Sequence, residues 1–325
     1  MKLGSLKSSS RDGQLIVVSR DNKYGIKATG IADSLREAVE NWPECEPKLK
    51  SLYDQLNLGG LTEAFEIENE ELHSAIPRSF QWADGSAFIH HIKLVRMARG
   101  AELPETLLTV PLMYQGGSDT FLAPTEDIPQ VDFAHGTDFE GEVCVITDDV
   151  PMGVSPEKAL DHIKLFMIAN DVSLRGLIPE ELKQGFGFFQ SKPSSAFAPF
   201  AVTADELGNA YREGRIHLPL LVEYNDQFFG NADAGQMHFH FGQLIAHAAR
   251  TRNLSAGTVI GSGTVSNEDP TRGSSCLAEK RMLEKINDGE FKTPFMKVGD
   301  RIKIEMRDAN GANIFGTIEQ KVTQA

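Results

Sequence analysis

Five short apolar runs beyond residue 140 constrain the fold of this chain most. They read GEVCVIT, HLPLLVEYN, GTVIGSGTV, RIKIEMRD and NIFGTIEQKV, and Gly, Asn or Asp residues bound each of them. Runs of this length between turn-forming residues are typical of β-strands. Helical patterns are fewer: Ser155 before Pro156 predicts a helix start, and residues 241–252 carry an apolar stripe. The sequence therefore predicts a β-rich α+β fold.

The first part of the chain has a different pattern. Its predicted elements are strands at 14–21 and 23–28, a helix at 35–42 after Ser34, and a second short helix that contains Leu49 and ends at Gly59-Gly60. Pro43 and Pro47 lie between the two predicted helices. The acidic stretch 66–75 resembles a linker before Pro77. We therefore predict a small N-terminal α/β domain at 1–76 and a larger catalytic domain at 77–325.

Charge and cysteine content limit the possible partners. The 325 residues, enough for about two domains, include 32 Lys and Arg against 46 Asp and Glu, a net charge of -14. This excess of negative charge disfavours nucleic acids and anionic membranes as partners. Three scattered cysteines indicate no disulfide framework. Since no apolar stretch approaches the roughly 18 residues that span a bilayer, we expect a cytoplasmic protein.

Three carboxylates lie at the ends of apolar runs. Glu140 and Glu142 flank Gly141, so a strand there would direct both side chains to one face. Asp171 follows the apolar run 164–170, where a buried strand would end. Hard oxygen ligands of this kind suit Mg²⁺, Mn²⁺ or Ca²⁺. The alternative is that both glutamates lie on the solvent face of an edge strand and that Asp171 caps a turn.

Other polar residues are weaker candidates by themselves. Asp84 and His91 add a carboxylate and an imidazole, side chains that serve in general acid–base catalysis. Lys192 lies in an aromatic-rich loop, where it is either a partly buried anion-binding group or an exposed lysine. We expect His90 to face away from His91.

The sequence gives little support for three other kinds of site: a histidine metal site, a nucleotide-binding loop and a serine hydrolase site. His238 and His240 alternate with Met237, Phe239 and Phe241, a pattern that favours a half-buried strand over a zinc or iron site. The segment GSGTVS lacks the lysine of a nucleotide-binding loop. The chain also lacks the G-x-S-x-G turn of serine hydrolases.

Four segments in order resemble the fumarylacetoacetate hydrolase family. They are DFEGEVCVI, NDVSLRG, QSKPSSAFAP and GSGTVS, and the resemblance extends from about Pro77 to the C-terminus. It implies a mixed β-roll catalytic domain, a divalent metal (Mg²⁺, with Ca²⁺ or Mn²⁺ as alternatives) and a homodimer.

The resemblance also implies a role for each site residue. The implied metal ligands are Asp84, Glu140, Glu142 and Asp171; the catalytic residues are His91, Glu279, Lys192 and Arg175; the substrate-binding residues are Tyr114, Thr264 and Arg99. In this scheme His91 activates water and Glu279 orients it. Lys192 and Arg175 stabilise the departing enolate.

The implied reaction cleaves a carbon–carbon bond of a small β-diketo acid. For fumarylacetoacetate the products are fumarate and acetoacetate, a step of tyrosine and aromatic catabolism. Ile178 and Ser86 replace a glutamine and a tyrosine of animal fumarylacetoacetases, and Arg96 is an alternative to Arg99. The alternatives are an acylpyruvate hydrolase, an oxaloacetate decarboxylase or a non-catalytic metal-binding module.

Overall fold

The computed structural model describes residues 1–69, 71–98, 100 and 102–325. The strands in this part of the chain are β1 (Lys2–Leu6), β2 (Gln14–Val18), β3 (Tyr24–Lys27), β4 (Phe65–Glu66), β5 (Trp82–Gly85), β6 (Met113–Gly116), β7 (Ile128–Gln130), β8 (Thr137–Asp138), β9 (Gly141–Thr147), β10 (Ile163–Asn170), β11 (Ser173–Leu174), β12 (Ala196–Phe197), β13 (Phe200–Val202), β14 (Tyr211–Arg212), β15 (Arg215–Ile216), β16 (Leu220–Tyr224), β17 (Gln227–Gly230), β18 (Val259–Gly261), β19 (Arg301–Met306) and β20 (Ile318–Gln324). The α-helices are α1 (Leu35–Glu40), α2 (Trp42–Leu58), α3 (Ile89–Ala98), α4 (Pro156–Ala159), α5 (Ile178–Gln184), α6 (Ala204–Leu207), α7 (Phe241–Ala248) and α8 (Leu277–Asp288).

One large sheet runs through most of the molecule. Its strand order is β4-β3-β2-β1-β13-β10-β9-β18-β5-β6, and β12 also pairs with β10. Neighbours are antiparallel apart from the parallel pair β5 and β18. The N-terminal strands join this sheet through β1, in which Leu3 lies opposite Ala201 of β13. The sheet therefore continues across residue 76, and the division into two domains stays a prediction.

A second sheet, in the order β17-β16-β19-β20-β7, packs against the first. Side chains of both sheets share the main core, including Val143, Phe166 and Val222. On the opposite face of the large sheet, α1 and α2 contribute to a second core with Cys144 and Met167. Successive residues of β9 and β10 alternate between the two cores because strand side chains alternate in direction. Between their polar ends both strands are therefore apolar on both faces, over 143–146 in β9 and 165–169 in β10.

The prolines do not separate the N-terminal helices. The break lies at Asn41, and α2 begins at Trp42 with Pro43 in its first turn and Pro47 inside it. The predicted assignment of Trp42 to the first helix is therefore wrong. Proline is tolerated in the first turn because that N–H has no partner within the helix.

The predicted strand containing His238 and His240 is also wrong. Both residues precede α7, which begins at Phe241. The His240 N–H donates to Gln243 Oε1 at 2.9 Å, and a ring nitrogen of His238 lies 2.9 Å from the Leu108 carbonyl oxygen. These contacts give the two histidines a structural role, as expected, although not in a strand.

Most predicted elements are confirmed, whereas β1, β5, β6 and other short strands were not predicted. The predictions confirmed are β2, β3, β9, β16, β18, β19, β20, α7 and the cap of α4, where Ser155 Oγ accepts from the Lys158 N–H. Among the described residues, no helix is both long enough and apolar enough to cross a bilayer.

Candidate active site

A cavity of about 280 Å³ contains most of the predicted site residues. Its polar lining is Asp84, Ser86, His91, Arg96, Tyr114, Glu140, Glu142, Arg175, Lys192 and Thr264. Apolar side chains of α3, α5 and the loop after α5, including Val95, Ile178 and Phe188, form the remaining wall. A cavity with apolar walls and a few convergent polar groups is typical of small-molecule binding.

Three strands of the large sheet bring Asp84, Glu142 and Asp171 together. Asp84 lies in β5, Glu142 in β9, and Asp171 directly follows β10. One carboxylate oxygen from each residue lies within 4.8 Å of the others, and all three residues are buried. Both glutamates of the E-x-E pattern are buried, so their alternative placement on a solvent-exposed edge is wrong.

Gly261 makes this convergence possible. It lies in β18, the strand between β9 and β5. A Cβ atom on Gly261 would lie 2.4 Å from Asp84 Oδ1 and 2.3 Å from the Trp82 ring. Only glycine leaves space for the Asp84 carboxylate at this point. The first glycine of GSGTVS therefore serves the carboxylate cluster and not a phosphate.

The electrostatics of the cluster suit a divalent cation. Burial, with Asp84 next in effect, raises the pKa of Glu142 well above its usual range, and burial and Asp171 do the same for Asp84. Among the described residues, neither oxygen of Glu142 has a hydrogen-bond donor. A cation relieves the repulsion between such carboxylates, and hard oxygen ligands match Mg²⁺, Ca²⁺ or Mn²⁺. The residues present therefore fit a divalent metal.

Glu140 contacts two cationic side chains. Its Oε1 accepts from Arg175 Nη2 at 2.6 Å, and its Oε2 accepts from Lys192 Nζ at 2.6 Å. Burial alone would raise the pKa of Glu140, but Arg175 and Lys192 hold it well below its usual range. Glu140 lies outside the three-carboxylate group, so its role as a fourth metal ligand stays a prediction.

Lys192 and Tyr114 both donate to Asp171. Lys192 Nζ and the Tyr114 hydroxyl each lie 2.5 Å from Asp171 Oδ2. Ser195, which was not predicted, donates from its Oγ to Asp171 Oδ1 at 2.7 Å. The Lys192 side chain is only 6% exposed, so the alternative of a solvent-exposed loop lysine is wrong. Asp171, whose carboxylate accepts from three side chains, is the most tightly held ligand candidate.

Arg175 connects the site to the start of α8 through Asp138. Arg175 Nε donates to Asp138 Oδ2 at 2.9 Å. The same carboxylate accepts the N–H groups of Leu277 and Ala278, the first residues of α8, at 2.7 and 2.9 Å. A carboxylate at a helix N-terminus satisfies N–H groups that have no partner within the helix. Asp138, which was not predicted, holds the Arg175 guanidinium beside Glu140.

His91 and Glu279 face each other, as predicted. His91 Nδ1 lies 3.5 Å from Glu279 Oε2, and His91 Nε2 lies 3.9 Å from Glu140 Oε1. Ser266 Oγ holds the other oxygen of Glu279 at 2.6 Å. The prediction that His90 faces away is wrong, because its Nε2 lies 3.9 Å from Glu279 Oε1. Both histidines reach the same carboxylate since α3 packs against α8.

The substrate-side predictions have mixed outcomes. Thr264 lines the cavity, and its Oγ1 is buried without a hydrogen-bond partner among the described residues. Arg99 lies outside the described residues. The alternative residue, Arg96, lines the cavity and donates from Nη1 to the Glu102 carbonyl oxygen at 2.8 Å.

Comparison with known proteins decides the family. The family model described as Fumarylacetoacetate (FAA) hydrolase C-terminal matches residues 81–323. The chain belongs to the fumarylacetoacetate hydrolase family. A second family model, described as Fumarylacetoacetase N-terminal domain 2, matches residues 1–78. The chain is thus an enzyme of the fumarylacetoacetate hydrolase family with a family-type N-terminal segment.

Sequence relatives of the chain are distant. Oxaloacetate tautomerase YisK of Bacillus subtilis is 24% identical over 207 residues, which are 62% of this chain and 64% of the relative. Oxaloacetate tautomerase fahd2, mitochondrial, of Xenopus laevis is 24% identical over 157 residues, 47% of each protein. The chain spans about half the length of the curated relatives it matches.

Solved structures share the fold over their full length. Fumarylacetoacetate hydrolase from Exiguobacterium antarcticum is 17% identical with a TM-score of 0.65, and the match covers 100% of both chains. Maleylpyruvate hydrolase from Sphingobium sp. SYK-6 is 16% identical with a TM-score of 0.66, again over 100% of both chains. At these identities the likeness shows the fold of the family.

Proposed function

We propose that this enzyme hydrolyses a carbon–carbon bond of a β-diketo acid, with fumarylacetoacetate as substrate and fumarate and acetoacetate as products. One observation carries the proposal. The His91 imidazole lies between Glu279, 3.5 Å from Nδ1, and Glu140, 3.9 Å from Nε2, in the cavity that Asp84 and Glu142 also line. A base held against an orienting carboxylate on one side and facing the site on the other is the arrangement that water activation requires.

The proposal includes a divalent metal, Mg²⁺, at Asp84, Glu142 and Asp171, with Glu140 as the fourth ligand. The charge of a bound Mg²⁺ polarises the oxygens of a diketo acid and favours its enolate. Lys192 and Tyr114 hold Asp171 in place from the substrate side. The Ser195 hydroxyl donates to the other carboxylate oxygen of Asp171.

The side chains of the site divide the reaction into two proton movements. The negative charge of Glu279, 3.5 Å from Nδ1, favours the His91 tautomer with hydrogen on that atom, so Nε2 accepts a proton from water. The hydroxide adds to the fumaryl carbonyl carbon, and the bond from this carbon to the methylene carbon breaks. The electron pair remains on acetoacetate as an enolate, whose carbon takes the proton back from His91. The Lys192 ammonium, buried beside the cluster, stabilises that negative charge.

The substrate-binding groups suit a dicarboxylate. We assign the Thr264 hydroxyl, which no described residue hydrogen-bonds, and the Arg96 guanidinium to the substrate carboxylates. Arg99 stays a second candidate for that role. The apolar wall formed by Val95, Ile178 and Phe188 suits the unsaturated carbon chain.

A second candidate function is tautomerisation of oxaloacetate. It is favoured by the two relatives named as oxaloacetate tautomerases. His91 can move a proton between a carbon and an enol oxygen without water attack, so the same site serves either reaction. Acylpyruvate hydrolysis and oxaloacetate decarboxylation remain further alternatives, and a non-catalytic metal-binding module would consume none of these substrates.

The test follows the absorbance of fumarylacetoacetate with Mg²⁺ and then with excess chelator. We expect metal-dependent loss of absorbance and stoichiometric fumarate. His91→Ala should lose turnover but keep Mg²⁺ affinity, whereas Glu142→Ala should lose both, as calorimetric titration would show. Absence of cleavage with Mg²⁺ bound, together with rapid enol-to-keto conversion of oxaloacetate, would replace the hydrolase by the tautomerase.

We also propose that the enzyme works in the cytoplasm and, in line with the family resemblance, as a homodimer. Sedimentation at micromolar concentration tests the dimer, which predicts twice the 35.7 kDa mass of one chain.

A further inference from the structure

Behind the imidazole of His91 lies a second cluster of potential metal ligands. His91 Nδ1 or Nε2, Cys276 Sγ and a Glu279 oxygen all lie within 4.8 Å of one another. Cys276 and Glu279 are buried, with exposures of 0% and 1%. The cluster differs from the carboxylate group in its chemistry, because it offers nitrogen and sulfur as well as oxygen.

Two atoms of this cluster have no hydrogen-bond partner among the described residues. They are His91 Nδ1 and Glu279 Oε2, which lie 3.5 Å apart. The second oxygen of Glu279 is occupied by Ser266, which holds the carboxylate in place. Cys276 is the N-cap of α8, and its Sγ accepts from the Glu279 N–H at 3.4 Å. The helix therefore fixes the thiol and the carboxylate relative to each other.

We propose that His91, Cys276 and Glu279 form an inhibitory site for a thiophilic divalent cation such as Zn²⁺ or Cd²⁺. One imidazole, one thiolate and one carboxylate leave a fourth position open, a coordination typical of zinc. Sulfur and imidazole favour such ions over Mg²⁺, which prefers oxygen alone. On binding, a sulfur–metal bond replaces the thiol proton, which passes to solvent.

Occupation of this site would stop general-base catalysis. A metal on Nδ1 leaves the hydrogen on Nε2, so His91 can no longer accept a proton from water. Glu279 is also withdrawn from its orienting role. The inhibition rests on the proposed function, whereas binding of the cation does not.

The test adds Cd²⁺ to protein saturated with Mg²⁺ and follows thiolate-to-metal charge-transfer absorbance in the ultraviolet. We expect one equivalent of Cd²⁺ per chain to saturate the absorbance. Cys276→Ser should lose it, because serine keeps an N-cap for α8 but removes the sulfur. Cys45→Ser, which changes a thiol in α2, is the matched control and should keep the full absorbance.

Inhibition is then measured with Zn²⁺ at saturating Mg²⁺. The half-inhibitory Zn²⁺ concentration should rise about 10-fold or more in Cys276→Ser, given that disturbing the surroundings of a metal site already costs about 10–100-fold in affinity. If Cys276→Ser does not fold, His91→Ala replaces it and should weaken Cd²⁺ binding similarly. No charge-transfer absorbance in the native protein, or equal absorbance in Cys276→Ser, would overturn the proposal. If the enzyme fails to cleave diketo acids, the absorbance still decides whether the site exists.

Discussion

Removing the charge of Arg175 should cost folding stability as well as activity. Its guanidinium bonds to Asp138 at 2.9 Å and to Glu140 at 2.6 Å, and its side chain is 8% exposed. Breaking a buried ion pair from one side typically costs about 3–5 kcal/mol. After the substitution Asp138 keeps two backbone N–H donors and Glu140 keeps Lys192. We therefore expect Arg175→Met to lower the free energy of unfolding by about 3 kcal/mol, the lower end of that range.

Urea denaturation followed by tryptophan fluorescence measures this loss. The control is Arg301→Met, which breaks the pair of Arg301 with Glu319, where the side chains are 52% and 45% exposed. Exposed pairs contribute about 0–1 kcal/mol, so the control should change little. If Arg175→Met costs no more than Arg301→Met, the connection from Glu140 through Arg175 to α8 does not stabilise the fold, and the reasoning fails.

Three further predictions concern the base, the metal and pH. Glu279→Gln should lower kcat about 10²–10⁴-fold, because His91 loses its orienting carboxylate and a general base contributes a factor of this size. KM and Mg²⁺ affinity, measured alongside, should hardly change. Mg²⁺ at about 100 times its Kd should stabilise the native enzyme by about 2.7 kcal/mol, seen as a higher Tm, and Glu142→Ala should abolish this gain. Burial lowers the pKa of Lys2 to about 8, so between pH 8 and about 10 the folded protein binds fewer protons than the unfolded chain. The free energy of unfolding should therefore rise over this pH range relative to that of Lys2→Met. If urea denaturation gives both proteins the same change of unfolding free energy with pH, the prediction is refuted.

The sequence was informative where a residue lies at the end of a strand. Glu142 and Asp171 were predicted from apolar runs. The antiparallel pairing of β9 with β10 brings the start of β9 next to the end of β10, and so these two residues together. Asp84 was a weak candidate by itself and became a predicted metal ligand only through the family resemblance, because the parallel pairing of β5 with β18 joins segments about 175 residues apart in sequence. No local pattern in the chain encodes that pairing.

The unpredicted residues act through tertiary contacts. Asp138 caps a helix that begins 139 residues later in the chain, and Ser195 reaches Asp171 across a loop. His90 was misplaced because its direction depends on the packing of α3 against α8 and not on its neighbour in sequence. Gly261 had a detectable signal, a glycine inside a strand pattern, which often marks a close approach by another group.

Local capping explains the wrong strand at His238 and His240. Alternation of apolar residues predicted a strand. Instead, the Gln243 side chain accepts from the His240 N–H, and α7 begins at Phe241. A side chain three residues into a helix that bonds back to the residue before the helix is a strong start signal. It outweighed a period-two pattern that was only five residues long.

The most direct test of the proposed reaction is hydrolysis of fumarylacetoacetate in H₂¹⁸O with Mg²⁺ present. Attack by a water activated at His91 on the fumaryl carbonyl predicts fumarate with one ¹⁸O atom in a carboxylate, and that label should disappear together with turnover in His91→Ala. Unchanged substrate in the presence of bound Mg²⁺, or fumarate released without the label, would contradict water attack at this site.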